Sequence, residues 1–500
     1  MSPNSKTDQN STITEETLDP ENWETVRDLA HEIIDDSLSY TRDVRERPVW
    51  QQMPKDTQAA FETPLPKSPT SLKKIYKSIT KNVLPFPMGN IHPRFWMWYM
   101  GSSNFTGALG DFLAAIIGSN LGGGNHSAAH IDNQVINWFK EMIGFPPEAS
   151  GSLVSGGSMA NLLGLTVARN TMASVAGVDL REHGLAALKK PMRYYTSDQV
   201  HSCHQLALET LGLGNSSLRR ISTNDDLTID IEALNKAIQE DREAGFQPAC
   251  VIATAGTVNT GAIDDLQKIS ALCHAEGLWF HVDGCIGALI AIAPNNKDRV
   301  AGIEKADSIA MDPHKWLHTP FEVGCVLIKS EQKHLKTFSL TPEYLEMTKR
   351  GIAAARWLHD FGLQTSRGFR ALKVWMSLQE HGVEKFGRLI DQNIAQGQYL
   401  NDLIKQETDL ELIAPTNINI VCYRYNPGGL NHDKLKEINI EIMLRLQEEG
   451  SAALSDTTVH GAHCLRVAIT NHRTRQSDLD FLVDETLRIG TEILDKGLNK

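Results

Sequence analysis

The sequence predicts an α/β protein with a mostly parallel central sheet flanked by helices, a helical N-terminal segment and a small α+β C-terminal domain. Three observations predict this fold class. Between residues 150 and 330, short β-branched runs alternate with amphipathic segments at helical spacing, the pattern of strands joined by right-handed crossovers. From Phe369 the sequence turns helical and then ends in a short mixture of strand and helix patterns. The chain has 500 residues, more than one core usually organises, so we expect two or three lobes.

The N-terminal region divides into a tail and a helical segment. Residues 1–20 are polar and predict a disordered tail. Apolar residues then recur at helical spacing in residues 22–40 and 71–85, with proline-rich links between them. Residues 21–92 are therefore predicted as a helical segment. These helices cannot bury their own apolar faces, so we expect the segment to pack on a partner subunit.

Residues 93–372 are predicted to form a large domain and residues 373–500 a small one. The predicted strands of the large domain lie within GSLVSGG, MRYYTS, SLRRIS, ACVIATAG, LWFHVDG, ADSIAMD and VGCVLIK. In open parallel sheets, ligands bind outside the carboxyl ends of the strands. The residues that follow each strand are therefore the candidates for a functional site.

Composition limits the partners and the compartment. The net charge is −12 and no run of Lys or Arg stands out, which argues against nucleic acid and anionic membranes as partners. The seven cysteines are scattered and odd in number, as suits a reducing cytosol. The N-terminus lacks the apolar core of a signal peptide, and no apolar run is long enough to span a bilayer. We therefore predict a cytoplasmic protein.

No metal site is predicted, because His126 and His130 lack a third ligand nearby.

Two strand ends carry groups suited to a flat, anionic ligand. The first is followed by SGGSMAN, in which Gly157 lets the backbone approach closely and Ser158 opens a helix whose free N–H groups favour an anion. His201 follows the second strand, where its planar ring could stack on a heterocycle. A glycine turn with a serine N-cap and a structural histidine are the ordinary alternatives.

Two further strand ends carry an acid and an amine in apolar surroundings. Asp283 ends an apolar strand, which is costly unless a cation or a donor meets it. Lys315 follows the sixth strand within DPHKW, hemmed in by Pro313, His314 and Trp316. A surface lysine in a loop is the simpler interpretation of this motif alone. The alternative is an amine that reacts with a carbonyl group.

An anion cradle, a stacking ring, a buried carboxylate and a trapped lysine together describe one ligand, pyridoxal phosphate. Its phosphate would lie at the helix start near Ser158, and His201 would lie over the pyridine ring. Asp283 would keep the ring nitrogen protonated, and Lys315 would form the Schiff base with the aldehyde.

Four motifs in combination resemble those of a known family. They are SGGSMANLLGL (155–165), SDQVHS (197–202), HVD (281–283) and DPHKW (312–316). These motifs make the chain similar to the group II pyridoxal-phosphate-dependent amino-acid decarboxylases, the family that includes the aromatic-L-amino-acid, glutamate and diaminobutyrate decarboxylases. The resemblance covers nearly the whole chain.

The resemblance implies a fold similar to fold-type I pyridoxal-phosphate transferases and a homodimer in which both subunits line each active site. It implies that Lys315 forms the Schiff base, that Asp283 pairs with the pyridinium nitrogen and that His201 stacks on the ring and acts beside the substrate carboxylate. The further cofactor contacts that it implies, mostly to the phosphate, are Gly157, Ser158, His314, Asp312 and Thr257.

The implied reaction is decarboxylation of an L-amino acid to its amine and CO2. In the animal aromatic-amino-acid enzymes a loop tyrosine protonates the carbanion. Its place here falls on Leu358, and the adjacent His359 could supply the proton. Tyr344 begins the same loop, where a structural role is expected. Loss of the tyrosine leaves open oxidative deamination to an aldehyde. The motifs are also compatible with transamination, with aldol cleavage and with a protein that binds the cofactor without catalysis.

The segment HPRFWMWYMGSSNF resembles the part of the family that shapes the side-chain pocket. Trp98 and Tyr99 within it are expected to contact an aromatic substrate, with a place in the core as the alternative. The glycine-rich NLGGGNHSAAH suggests an open pocket. Glutamate or diaminobutyrate is the alternative substrate type. Arg466 could meet a glutamate side chain, although a structural role fits it better.

Overall fold

The computed structural model describes residues 16–340 and 350–496 of the chain. Within them the strands are β1 (Ser150–Val154), β2 (Met192–Ser197), β3 (Leu218–Ile221), β4 (Gln247–Thr254), β5 (Trp279–Asp283), β6 (Ser308–Met311), β7 (Gly324–Ile328), β8 (Leu410–Leu412), β9 (Ile420–Tyr425), β10 (Ser455–Val459) and β11 (Ala462–Ala468). The α-helices are α1 (Trp23–Arg42), α2 (Lys55–Ala59), α3 (Leu72–Asn82), α4 (Phe105–Ile117), α5 (Ser127–Ile143), α6 (Gly157–Val175), α7 (Leu180–His183), α8 (Cys203–Thr210), α9 (Ile231–Glu243), α10 (Leu266–Glu276), α11 (Pro313–Trp316), α12 (Glu331–Phe338), α13 (Ala371–His381), α14 (Val383–Gln406), α15 (His432–Glu448) and α16 (Gln476–Lys496).

The first seven strands form one sheet in the order β1-β7-β6-β5-β4-β2-β3. The pairs β6–β5, β5–β4, β4–β2 and β2–β3 are parallel, whereas β7 is antiparallel to both β1 and β6. The predicted, mostly parallel sheet is therefore confirmed. Because β7 lies between β1 and β6 and opposes both, β1 runs in the same direction as the parallel strands. Its carboxyl end consequently lies at the same edge of the sheet as theirs.

Helices cover both faces of this sheet. Side chains of α5, α10 and α13 belong to one core cluster and those of α6 and α8 to another. Every residue of β5, β6 and β7 is buried. Burial on both faces explains why these strands are continuous apolar runs rather than alternating ones. Among the described helices, none combines the length and the apolar composition that a bilayer crossing requires.

A second sheet lies in the C-terminal part of the chain. Its strands are antiparallel in the order β10-β11-β9-β8, and α14, α15 and α16 contribute to the core that covers it. The predicted small α+β unit is therefore confirmed. The helical pattern that begins at Phe369 divides into α13 and α14 because Gly382 between them has φ +70°, in the left-handed region that favours glycine.

Helices α1 and α3 are the two that the sequence predicts near the N-terminus. Several of their large apolar side chains are exposed: Trp23, Leu38, Leu72, Ile75 and Ile79. Such a surface is compatible with packing on a partner subunit, which stays a prediction. Of the predicted disordered tail, residues 1–15 lie outside the described part of the chain.

An extended segment after α3 pairs with the C-terminal part of the chain. The Trp96 N–H donates to the Ala453 carbonyl at 2.8 Å, and the Ala468 N–H donates to the Trp96 carbonyl at 3.1 Å. The beginning of the predicted large domain thus contacts the predicted small one. The predicted domain boundaries stay predictions.

Candidate active site

The carboxyl ends of β1, β2, β4, β5 and β6 border a cavity of about 630 Å³. Most of the predicted site residues line it: Trp98, Tyr99, Gly157, Ser158, His201, Asp283, Asp312, His314 and Lys315. Stretches that are far apart in the sequence therefore meet at one edge of the sheet, as the strand-end argument predicts.

The start of α6 forms one wall of the cavity. A Cβ atom at Gly157 would collide with the Cys285 sulfur and come within 2.7 Å of Asp312 Oδ2, so the helix start requires glycine there. No side chain caps this helix end. The N–H groups of the first turn have no intrahelical acceptors and, together with the helix dipole, favour an anion.

Lys315 lies in α11, directly after β6. Its Nζ is 3.0 Å from Asp312 Oδ2 and 5.9 Å from the centroid of the Tyr99 ring. Burial lowers the pKa of Lys315, but the nearby negative charges, Asp312 first, outweigh burial and raise the pKa above its usual value. Asp312 Oδ1 is buried and has no hydrogen-bond partner among the described residues. That oxygen is an unused acceptor beside the amine.

Asp283 is the last residue of β5, and both of its carboxylate oxygens accept hydrogen bonds. His204 Nε2 donates to Oδ2 at 2.8 Å, and the Cys285 N–H donates to Oδ1 at 3.1 Å. Burial alone would raise the pKa of Asp283, but the hydrogen bond and the charge of His204 hold it well below its usual range. The carboxylate therefore stays ionised and can face a protonated ring nitrogen.

Two further histidines border the cavity. His201 accepts a hydrogen bond from the Cys203 N–H at Nδ1, 3.1 Å away, and a side-chain hydrogen bond with Cys203 raises its pKa. His314 accepts from the Val323 N–H at Nδ1, 3.3 Å away, and burial lowers its pKa. A neutral His314 whose Nδ1 accepts carries its proton on Nε2, which can donate to a phosphate oxygen.

The aromatic pair in the side-chain pocket segment has two different environments. Trp98 is 48% exposed and borders the cavity. Tyr99 is buried, its hydroxyl hydrogen-bonds with Asn419 Oδ1 at 3.1 Å, and its ring meets the Trp316 ring edge-on at 5.9 Å. Tyr99 is thus a fixed part of the wall, whereas Trp98 presents an indole surface beside the opening.

Arg466 also lines the cavity, next to Trp98. Its guanidinium donates to the carbonyl oxygens of Trp98, Val258 and Asn259 and to the Ser455 hydroxyl. These contacts use most of the five N–H donors of an arginine. The structural role that the sequence favours for Arg466 agrees with this geometry.

Two predicted site residues fall elsewhere. Thr257 is buried outside the cavity lining, where its hydroxyl accepts from the Ala262 N–H at 3.1 Å. His359 Nδ1 donates to the Gly122 carbonyl at 3.0 Å, and His359 is not among the described residues that line the cavity. The site roles of both stay predictions. Tyr344 lies outside the described residues.

Sequence reasoning missed His204, Asn161 and Cys285, which surround the Asp283 carboxylate and the adjoining wall. Asn161 Nδ2 lies 3.7 Å from the sulfur atoms of both Cys203 and Cys285. The signal for His204 in the sequence is a second histidine close after His201, just inside α8, which begins at Cys203. Asn161 lies within the SGGSMANLLGL motif, and no signal marks Cys285.

The residues of the cavity fit pyridoxal phosphate. The helix start at Gly157 suits a phosphate, the buried amine of Lys315 suits an aldehyde, and the ionised Asp283 suits a pyridinium nitrogen. The unpartnered oxygen of Asp312 also indicates a bound group, because buried polar atoms normally have hydrogen-bond partners.

Comparisons with known proteins agree with this chemistry. Residues 54–426 match the model of the pyridoxal-dependent decarboxylase conserved domain. The aromatic-L-amino-acid decarboxylase of Bacillus atrophaeus is 34% identical over 465 residues, which cover 91% of this chain and 93% of that protein. The phenylacetaldehyde synthase of Petunia hybrida is 27% identical over 480 residues, 93% of each chain. The solved structure of Oryza sativa TDC with PLP and tryptamine is 26% identical, with a TM-score of 0.88, and covers 95% of this chain and 100% of that chain.

A match over this much of the chain shows the family: the protein belongs to the pyridoxal-dependent decarboxylases. It has their fold-type I architecture, and pyridoxal phosphate is its cofactor. It is an enzyme of the carboxy-lyase class that decarboxylates an amino acid. The family that the four motifs predict is therefore confirmed.

Proposed function

We propose that this enzyme decarboxylates an aromatic L-amino acid to its amine and CO2 at the cavity described above. The observation that carries the proposal is the convergence, in one cavity, of Lys315, Asp283 and the start of α6 with Trp98 and Tyr99.

Each group of the cavity has a proposed task. Bound pyridoxal phosphate supplies an electron-poor ring that accepts the electron pair of the broken Cα–carboxylate bond. Lys315 would hold the cofactor covalently through its aldehyde carbon. The first turn of α6, from Gly157 and Ser158, would bind the phosphate together with His314. His201 would stack on the ring beside the substrate carboxylate.

Asp283 is proposed to hold a proton on the ring nitrogen. A carboxylate that accepts from His204 and Cys285 still has lone pairs for a third donor. Its negative charge, in a buried site, stabilises the protonated nitrogen and keeps the ring electron-poor.

An aromatic side chain is the proposed specificity. Trp98 and Tyr99 offer aromatic surface at the cavity wall. Arg466 is engaged by backbone carbonyls, which leaves it poorly suited to a substrate carboxylate, so the cavity disfavours glutamate. The relative from Bacillus atrophaeus is named for aromatic amino acids, which supports the same choice.

We also propose His359 as the acid that protonates Cα. His359 is adjacent in the sequence to Leu358, which occupies the position of the family's loop tyrosine. Because it does not line the cavity of its own chain, the proton would come from His359 of the partner subunit. This assignment depends on a homodimer whose two subunits both line each site.

A cytoplasmic homodimer is proposed on two grounds. Helix α4 exposes a row of apolar side chains, Phe112, Leu113, Ile116 and Ile117, and α1 and α3 expose others. All seven cysteines are free, as expected in a reducing compartment. Sedimentation equilibrium should give twice the chain mass, and Ile116→Glu should shift the equilibrium toward monomer. A monomeric wild-type protein would contradict both the homodimer and the role of His359.

Reduction with borohydride tests the central assignment. In the wild-type holoprotein the pyridoxyl label should be found on the peptide that contains Lys315, and Lys315→Ala should carry no label. Lys373, a buried lysine paired with Asp111, provides the matched control: Lys373→Met should be labelled on Lys315. A label on a different lysine would overturn the proposal.

Product analysis tests the reaction. Incubation with tryptophan, tyrosine, phenylalanine, DOPA and glutamate should release amine and CO2 in equal amounts, and only from the aromatic substrates. A second candidate, oxidative deamination, is favoured by the likeness to a phenylacetaldehyde synthase. Aldehyde and hydrogen peroxide in amounts that match substrate loss would establish it instead.

A further inference from the structure

His204 touches neither the reacting atoms nor the phosphate in the proposed chemistry, yet it makes the shorter of the two hydrogen bonds to Asp283. It lies in the first turn of α8, is fully buried, and points Nε2 at Asp283 Oδ2, 2.8 Å away. Because an ionised carboxylate only accepts hydrogen bonds, the proton of this contact belongs to His204. The other oxygen of Asp283 accepts from the backbone N–H of Cys285, so the two contacts together fix the direction of the carboxylate and His204 supplies the shorter one.

A second histidine, His281, packs beside His204 and is excluded from that contact. The two rings meet edge-on with centroids 6.2 Å apart. His281 Nε2 lies 2.8 Å from Asn161 Oδ1, and its Nδ1 lies 2.7 Å from Ser308 Oγ, which also accepts from Trp279. Both nitrogens of His281 are therefore committed to a neutral network.

We propose that His204 is a positioning residue that keeps Asp283 ionised and directed at the cofactor's ring nitrogen. The inference rests on the proposed function of Asp283. The physical argument is that a buried carboxylate without its side-chain donor would take up a proton or rotate, and either change would weaken its grip on a protonated ring nitrogen. The donated hydrogen bond, rather than the bulk of the imidazole, is the functional element.

Two variants separate the hydrogen bond from packing. His204→Leu removes the donor and keeps much of the volume, whereas His204→Gln keeps an N–H donor of similar reach. His334→Leu is the matched control, because His334 is another fully buried histidine. It bonds to Ser150 at the beginning of β1, at the opposite edge of the sheet from the cavity.

The first measurement compares the dissociation constants of pyridoxal phosphate and of its 1-deaza analogue, which has carbon in place of the ring nitrogen. We expect His204→Leu to reduce the preference for pyridoxal phosphate about tenfold or more, which corresponds to about 1.4 kcal/mol. His204→Gln should restore most of that preference, and His334→Leu should leave it unchanged. A purely structural role for His204 would weaken both ligands equally and would overturn the inference.

The second measurement is spectroscopic and needs no turnover. The cofactor is labelled with ¹⁵N in the ring, and the chemical shift of that nitrogen is measured by NMR. The shift should be that of a protonated ring nitrogen in the wild-type protein and should move toward that of a neutral one in His204→Leu. An unmoved resonance would contradict the inference.

Metal analysis provides a separate check, because Cys203, His204 and Asp283 place potential ligand atoms within 4.8 Å of one another. A stoichiometric ion held there would overturn the inference, and its absence from the purified holoprotein is expected.

These outcomes are distinguishable from failure of the proposed function. If the wild-type protein bears no label on Lys315, the proposed function fails. If it is labelled and the His204 variants keep the wild-type preference and resonance, only the role of His204 fails.

Discussion

Lys315 and Asp283 are buried ionisable side chains, and each is held in its charged form by a specific neighbour. Asp312 raises the pKa of Lys315 against the effect of burial, and His204 lowers the pKa of Asp283 against the effect of burial. The charged form suits the proposed role of Asp283 but not that of Lys315. The role proposed for Asp283 requires the ionised form, whereas Lys315 must lose its proton before it can attack an aldehyde.

Asp312→Asn should therefore speed the attachment of Lys315 to an aldehyde. Without the carboxylate, Lys315 loses both the charge and the hydrogen bond by which Asp312 raises its pKa, so the pKa falls and more of the amine is unprotonated at neutral pH. The rate should rise by about tenfold for each unit by which the pKa falls. Stopped-flow absorbance of cofactor-free protein mixed with pyridoxal measures this rate without any contribution from the phosphate. A slower reaction would show that Asp312 helps the amine to react.

Asp283→Asn should still bind the cofactor, but its kcat should fall by about a hundredfold or more. That loss corresponds to an increase of about 3 kcal/mol in the activation free energy. The amide carries no charge and cannot stabilise a protonated ring nitrogen. Asp307→Asn serves as the control, because Asp307 is largely buried and binds the Phe280 N–H at the other end of the same strands. Turnover in Asp283→Asn equal to that of the control would remove the argument for an electron-poor ring.

At the scale of the elements, the junction of β1 and α6 depends on two close approaches. Gly157 faces Asp312 and Cys285, and Gly324 at the start of β7 faces the backbone of Gly156. The helix can present its N–H groups to the cavity only because these positions carry no side chain.

Gly157→Ala should weaken the binding of pyridoxal phosphate by about tenfold or more, or about 1.4 kcal/mol. The added methyl group must displace Asp312 or Cys285, both of which border the cofactor cavity. Gly368→Ala is the control, since a Cβ atom there would meet open space and its φ is not positive. Fluorescence titration measures the affinity of each variant for pyridoxal phosphate. Equal affinities would contradict a phosphate site at the start of α6 that requires Gly157.

At the scale of the whole molecule, buried histidines should make stability fall in mild acid. Burial lowers the pKa of His92 and His472 to about 4 and that of His281 and His334 to about 3. The unfolded chain keeps values near 6.5, so below about pH 6.5 protons bind the unfolded state and not the folded one. The free energy of unfolding should then fall by about 1.4 kcal/mol per pH unit for each histidine. Burial also lowers the pKa of His318, which adds to the decline. Asp264, whose pKa burial raises to about 6, acts in the opposite direction and offsets the contribution of one histidine.

Thermal unfolding measured at several values between about pH 6 and about pH 4.5 tests this. The midpoint should fall steadily as the pH falls, and His334→Leu should flatten the decline by removing one of the contributing histidines. A midpoint that does not change over this range would show that the buried histidines take up protons without unfolding.

Sequence patterns predicted the seven strands and the residues that follow them, because hydrophobic periodicity and chain order are local properties. They also predicted that Asp283 and Lys315 follow strand ends and bind one ligand, and β5 and β6, which carry them, are adjacent in the sheet. The direction of β7 was not predicted. A short buried strand has the same apolar composition in either direction, and its pairing depends on the whole sheet.

Among the site residues, local motifs were enough to name the candidates, since Lys315, Asp283 and the glycine-rich start of α6 are chemically distinctive in their surroundings. Tertiary packing selected the neighbours that set the charge of Lys315 and Asp283. The contact of His204 with Asp283 joins two elements 79 residues apart, and the turn that keeps the Thr257 hydroxyl out of the cavity lining is equally a product of packing. Spacing along a chain specifies faces of strands and helices, but the partner that a buried charge meets depends on which faces the fold brings together.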